Sequence, residues 1–232
     1  KHACDIVTHI ENGLKATTTT TNVKLSINEI RKFRIVKLPH SVIYKHYFTS
    51  KDELNEDSCL LTYIQIANTN KTNNIKLKAL TLLIEQIFSE DFFDELRTQQ
   101  QLGYQVSIET MNKFSVLGLA MFIQSEKYHP DYIYDRINTF FVDFDLSVSD
   151  NFTDEDFESY KSSVINELKE RDLTLNEEFE RNFEQIILRE YQFNRKELLI
   201  QCLENEITKE DVITFFKEYI YDRVRRIDIG IV

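Results

Sequence analysis

The sequence predicts an α+β domain, an antiparallel β-sheet covered by helices, and three observations point to it. Apolar spacing changes period along the chain. It runs from the alternation of Tyr63-Ile64-Gln65-Ile66 to the three- and four-residue steps of Leu77, Leu80, Ile84, Ile87 and Phe88, the signatures of a half-buried strand and of an amphipathic helix. The strand-like stretches also come in groups, three before the long helical pattern, two after it and one at the end. That grouping does not match the one-for-one alternation of strand and helix in a parallel doubly wound sheet. Finally, only 4 glycines and 2 prolines occur in 232 residues, which favours long elements with few tight turns.

Taken in order, His2 to Leu14 places Ile6, His9 or Ile10, and Leu14 at near-helical spacing, and Gly13 with the following threonines closes it. Thr17 to Thr21 is a low-complexity run that reads as a solvated linker. Residues 1–25 are therefore expected to be the end of a preceding helix and a linker, and 26–232 a single domain. Phe33–Leu38, Val42–Phe48 and Leu60–Ala67 are rich in β-branched and aromatic residues and predict three strands. Between the second and third, Asp52, Glu53, Glu56 and Asp57 mark a charged, solvated loop.

A long helix is expected from about Ile75 to roughly Gln100. Gly103 stands where a helix C-terminus favours positive φ, and Tyr104–Ile108 resumes alternation as a strand. After the turn-like Met111-Asn112-Lys113 comes a strand over Leu117–Gln124. His129-Pro130 opens a helix with the stripe Ile133, Ile137, Phe140, Phe141 and Phe144. Thr153 and Thr208, each followed by acids, read as N-caps of two further helices. Arg226–Val232 closes the chain as a strand.

Composition excludes several chemistries. Gly13, Gly103, Gly118 and Gly230 fit neither a dinucleotide fingerprint, nor a P-loop, nor a serine nucleophile elbow. The net charge of -11 repels a phosphate backbone, so no nucleic-acid partner is expected. The longest apolar run, Val116–Ile123, is about a third of a membrane span, so no membrane partner is expected either. Cys4, Cys59 and Cys202 are far apart and odd in number, which fits a reducing, cytoplasmic compartment. Opening on Lys1 with no charged-then-apolar leader, the chain reads as a fragment of something longer, in which any targeting signal is hidden.

Metal-ligand spacing is absent from the sequence. His2, His9, His40, His46 and His129 form neither HExxH nor HxxEH, the two spacings that put paired histidines and a general base on one helix face. The segment with chemical potential is Leu96-Arg97-Thr98-Gln99-Gln100-Gln101-Leu102-Gly103-Tyr104. Arg97 falls at the negative end of a helix and Tyr104 at the mouth of a strand. Both can present hydrogen-bond donors to peptide carbonyls or an oxyanion at one end of a sheet. The alternative is structural: Arg97 pairs with Asp94 or Glu95, and Tyr104 packs in the core.

That segment resembles the LRTxxQLGY stretch in the C-terminal half of insulysin-type zinc peptidases, the insulin-degrading, pitrilysin-like inverzincins. Gly118-Leu119 leading into Phe122–Lys127, Tyr191–Arg195, Leu203 through Thr208–Val212 to Phe216-Lys217-Glu218, and Phe33–Pro39 resemble the same domain in the same order. The resemblance implies the last of four similar domains, with the LuxS/mitochondrial-processing-peptidase-like metallohydrolase fold. It further implies that zinc is held by HxxEH in another domain, that the N-terminal zinc-bearing half of the same polypeptide is the partner, and that peptides are the substrates. By the same resemblance Arg97 and Tyr104 are accessory catalytic residues that orient substrate and oxyanion. Two features depart from the family: Gln99 and Gln100 replace a more charged pair, and the acidic charge contrasts with a usually basic chamber wall. Two other classes fit the same sequence, a catalytically silent scaffold domain of the same fold and a module that binds peptide by adding a strand to a sheet edge.

Overall fold

A computed structural model describes residues 2–17, 35–52, 54–69, 74–146, 152–188, 190–222 and 225–232. The chain divides into two units, 1–34 and 35–232. The first contains helix α1 (His2–Thr17); Thr18–Thr21 of the threonine run lie outside the described residues.

The second unit contains five strands, β1 (Val42–Phe48), β2 (Ser58–Asn68), β3 (Gln105–Lys113), β4 (Val116–Ser125) and β5 (Arg225–Ile231). Its helices are α2 (Ile75–Phe93), α3 (Pro130–Asp143), α4 (Asp154–Lys169), α5 (Leu175–Ile187), α6 (Arg195–Asn205) and α7 (Lys209–Phe215). The strands form one sheet in the order β1-β5-β2-β4-β3. The expected antiparallel, helix-covered sheet is present, with a single parallel pair, β1 and β5, at one edge.

Alternation assigns the two faces. On β5, Arg226, Asp228 and Gly230 are buried while Arg225, Ile227, Ile229 and Ile231 are half-buried or exposed. On the buried face, α2 packs on β3 and β4 and α3 on β2, with α4, α6 and α7 stacked outside α2. Leu60, Ile64, Leu119, Met121 and Ile123 meet the helices' Leu83, Ile84, Phe88, Ile137 and Phe140 in one core. Phe88 touches Phe140, Phe141 and Phe216 at ring-centroid distances of 5.7, 5.4 and 5.6 Å. Such aromatic pairs add about 0.5–1.5 kcal/mol each beyond burial. On the opposite face, at the β1 edge, Val42, Tyr44 and Phe48 are 38%, 45% and 52% exposed.

Helix starts follow the sequence closely. Thr153 with Asp156 and Thr208 with Asp211 form complete capping boxes, and His129 caps α3 with Pro130 behind it. Two strand expectations fail. Ile35–Pro39 is not a strand, and Phe33 and Arg34 lie outside the described residues. The backbone of this segment is satisfied by one side chain: Gln65 Oε1 accepts from Leu38 N at 2.9 Å and Gln65 Nε2 donates to Val36 O at 3.0 Å. Met111–Lys113 belongs to β3, and the turn is Phe114-Ser115, with φ of 48° and 61°. A type I′ two-residue hairpin needs positive φ at both positions, and residues other than Gly, Asn or Asp give little sequence signal for it.

A buried polar pin closes the far side. Glu190 takes hydrogen bonds from Lys78, Thr69 and Asn112 at 2.6, 2.9 and 3.0 Å. Burial by itself would raise its carboxyl pKa, but these donors hold it below the ordinary carboxylate value.

Candidate functional site

The candidate site is the corner where α2 ends and β3 begins. After Phe93 the helix continues as a π-helical segment, Asp94–Gln99. Its widened turn shows in the backbone, where Gln100 N donates to Glu95 O and Leu102 N to Leu96 O, both at 2.9 Å. The same widening aligns side chains five apart. Gln99 Nε2 donates to Asp94 at 2.9 Å and Gln100 Nε2 to Glu95 at 2.6 Å. Gln100 Oε1 in turn accepts from Arg136 of α3, which ties the corner to the helical layer.

These bonds decide the state of Arg97. Asp94 and Glu95, the expected partners of Arg97, accept instead from Gln99 and Gln100, and Arg97 forms no ion pair with a described residue. Its guanidinium lies over the Phe93 ring, 4.9 Å from the centroid, and the side chain is exposed. Leu96, fully buried beside it, anchors the turn.

Gly103 is required here for a reason other than the expected one. The residue with positive φ is Gln101, at 52°, and no glycine among the described residues has positive φ. A Cβ on Gly103 would fall 2.0 Å from the Gln124 carbonyl oxygen, well inside contact distance. The corner thus lies flat against β4, and Tyr104 N donates to that same oxygen at 3.1 Å.

Tyr104 does not pack in the core; it is 45% exposed. Its hydroxyl donates to Asp57 Oδ2 at 2.6 Å, and Gln124 Nε2 donates to the same oxygen at 3.0 Å. Gln124 pairs with Cys59 and Gln105 on the open-face alternation, so Tyr104, Gln124 and Asp57 converge at the open end of the sheet. The bond to Asp57, followed by partial desolvation and neighbouring acid charge, pushes the Tyr104 phenol up to about 12. The group is therefore neutral across the physiological range, with its one proton directed at Asp57.

Arg97 and Tyr104 share this corner but no hydrogen bond joins them. Asp57, which the sequence places only in a charged loop, is the residue that sequence reasoning missed. Its contact with Tyr104 spans 47 positions, and no local pattern signals it. Glu56, from the same loop, is exposed.

The residues present do not fit a zinc site. Among the described residues no three His, Cys, Asp or Glu side chains come together in a way that would hold a metal. The His46 ring packs edge-on against Phe48, His129 Nδ1 accepts from Asp131 N at 3.3 Å, and His40 Nε2 meets Arg225. Cys4, Cys59 and Cys202 are free thiols, and none of the described helices is long and apolar enough to cross a membrane.

Comparison with known proteins agrees with this architecture. Residues 83–183 match the family described as PQQ synthase PqqF-like, C-terminal lobe domain 4. The A-factor-processing enzyme of Saccharomyces cerevisiae is 32% identical over 199 residues, covering 86% of this chain and 18% of that protein. The insulin-degrading enzyme of Drosophila melanogaster is 29% identical over 221 residues, covering 95% of this chain and 21% of that protein. The chain thus spans about a fifth of the length of these relatives. The crystal structure of pitrilysin superposes with a TM-score of 0.66 at 21% identity, over 85% of this chain and 20% of that one, which supports the fold. With the matched segment inside it, relatives along nearly its whole length and the shared fold, the chain is similar to the C-terminal-lobe domains of the insulin-degrading-enzyme and pitrilysin relatives.

Proposed function

We propose that the domain, placed at residues 26–232, helps enclose and orient peptide substrates for a zinc metalloendopeptidase. The metal centre would belong to the N-terminal half of the same polypeptide, and residues 1–25 would be the tail of a preceding helix and its linker. The observation that carries this reading is the exposed guanidinium of Arg97, with no ion pair to a described residue, on the same corner as the exposed Tyr104 at the end of the sheet. Arginine offers five donors in a rigid fork. Here none of them is neutralised by a neighbouring acid, so they suit peptide carbonyls or a developing oxyanion. Tyr104 orients the peptide either by accepting from a backbone N–H while its proton stays on Asp57, or by releasing Asp57 to donate. A reducing, cytoplasmic setting suits the three thiols.

The test uses the full natural polypeptide. Arg97→Ala is expected to lower peptide turnover about 100- to 1,000-fold if its donors stabilise the transition state, and Tyr104→Phe is expected to lower it by removing the hydroxyl that orients the peptide. Unchanged turnover in both variants removes the role. The isolated chain is expected to be inactive even with added zinc. A second reading, a catalytically silent interaction domain, draws on the exposed Val42, Ile43, Tyr44 and Phe48 of the edge strand β1. Absence of HxxEH from the remainder of the polypeptide would decide for it.

A further inference from the structure

Asp57 reaches the corner from the loop before β2 with one oxygen engaged and the other open. Both of its hydrogen bonds, from Tyr104 Oη at 2.6 Å and Gln124 Nε2 at 3.0 Å, end on Oδ2. No hydrogen bond or ion pair from the described residues reaches Oδ1. Both donors are neutral, so the negative charge is oriented without being cancelled. The carboxylate is half-buried, where a charge is screened less than on an open surface.

Tyr104 adds to the asymmetry. A phenol has one proton, and this one points at Asp57. What Oη presents outward is its lone pairs, so in this arrangement it accepts hydrogen bonds. Tyr104 Oη and Asp57 Oδ1 are therefore two neighbouring acceptors that together carry a full negative charge. A peptide carbonyl is repelled by such a pair. Ammonium and guanidinium groups, which only donate and are positive, complement it.

We propose that Asp57 and Tyr104 Oη form an acceptor pair for a cationic group of the bound peptide, a Lys or Arg side chain or a free α-amino group, and that Asp57 is a specificity-determining residue. The assignment rests on the reading of Tyr104 as a substrate-orienting residue. The net charge of -11 acts in the same direction, since it steers cationic peptides toward the protein. Asp57 also gives the acidic character of the chain a local use, where overall charge by itself only biases encounter.

The experiment uses the full natural polypeptide and pairs of internally quenched peptides that differ only by Lys or norleucine at one position, moved stepwise along the residues flanking the cleaved bond. A matching pair with free or acetylated N-terminus probes the α-amino group. At one position the charged peptide is expected to show a kcat/KM about five- to tenfold above its neutral twin, the scale of one charge-assisted contact. Asp57→Asn, isosteric but uncharged, should bring that ratio to about one, and Asp57→Glu should retain part of it. A ratio near unity at every position in the unmodified protein overturns the proposal. So does a ratio that survives in Asp57→Asn while Tyr104→Phe slows both peptides, a result that leaves the orienting reading intact. Tyr104→Phe with both peptides turned over normally overturns the orienting reading instead.

Discussion

Under the helices, Arg226 is held on every side, while at the open corner Arg97 is held by one ring. Arg226 is 5% exposed, donates from Nε to Asp228 at 2.8 Å and from Nη1 to Asn138 at 2.6 Å, and lies 4.6 Å from the centroid of Tyr134. Its Nη2 reaches Thr62 at 3.3 Å, and Thr62 also donates to Asp228 at 2.6 Å. Burial leaves no choice, because an unpaired guanidinium in the core is costly. Arg97 is exposed, and water can satisfy whatever Phe93 does not. The same side chain is thus a structural pin in one place and an uncommitted set of donors in the other. The tyrosines repeat the contrast: the Tyr134 ring holds both the Lys45 and the Arg226 cations, whereas Tyr104 holds only the end of its hydroxyl on Asp57.

The largest expected effect tests the buried side. Asp228→Ala leaves Arg226 without its counter-charge and should cost about 3–5 kcal/mol, read from urea unfolding. A cost below about 1 kcal/mol would mean that water already reaches the pair and that the two arginines differ less than their contacts suggest. Replacing Arg226 and Asp228 together with Met and Leu should cost much less than the single change, because no lone charge remains.

Next comes the corner itself. Gly103→Ala forces a Cβ onto the Gln124 carbonyl, and the overpacking should cost about 1–3 kcal/mol in the same unfolding measurement. It should also lift Tyr104 away from Asp57, returning the phenol toward its ordinary value of 10.0 in an ultraviolet titration. A stable variant whose Tyr104 titrates as before would show that the corner is looser than the close approach implies. The smallest effect lies on the covering layer. Thr208→Ala removes one capping box from α7 and should cost about 1 kcal/mol, with no change in the Tyr104 titration.

What could be read from the sequence was local. The capping boxes at Thr153 and Thr208, the His129-Pro130 start and the long apolar stripe of α2 are patterns contained within a few turns, and the structure has each of them. What could not be read was either side-chain mimicry or long-range pairing. The β-branched and aromatic residues of Phe33–Leu38 read as a strand, but Gln65 supplies to Val36 and Leu38 the hydrogen bonds that a neighbouring strand would have given. The parallel pairing of Val42 with Arg225 joins the first and last strands of the sheet, and no window of sequence contains both. At the corner, Arg97, Gly103 and Tyr104 stood out by residue type and spacing. Asp57 did not, because an acid in a charged loop is ordinary until a distant tyrosine is found to lean on it. Helix α5 is a further case: no element is expected from the sequence over Leu175–Ile187, and its apolar Phe179, Phe183 and Ile186 are 58%, 44% and 46% exposed.

The strand order has a consequence for how the molecule is made. β5 lies between β1 and β2, yet it follows every other described element in the chain, so during synthesis β1 emerges long before the strand it pairs with. Until β5 arrives, β1 is a solitary strand with Val42, Tyr44 and Phe48 and two unpaired edges, a template for pairing with other nascent chains. Insertion of β5 is then the closing event, sealed when Val232 N reaches Phe48 O and Ser50 N reaches Val232 O. Such late, non-local closure slows folding and lengthens the time for which a strand edge is exposed to association.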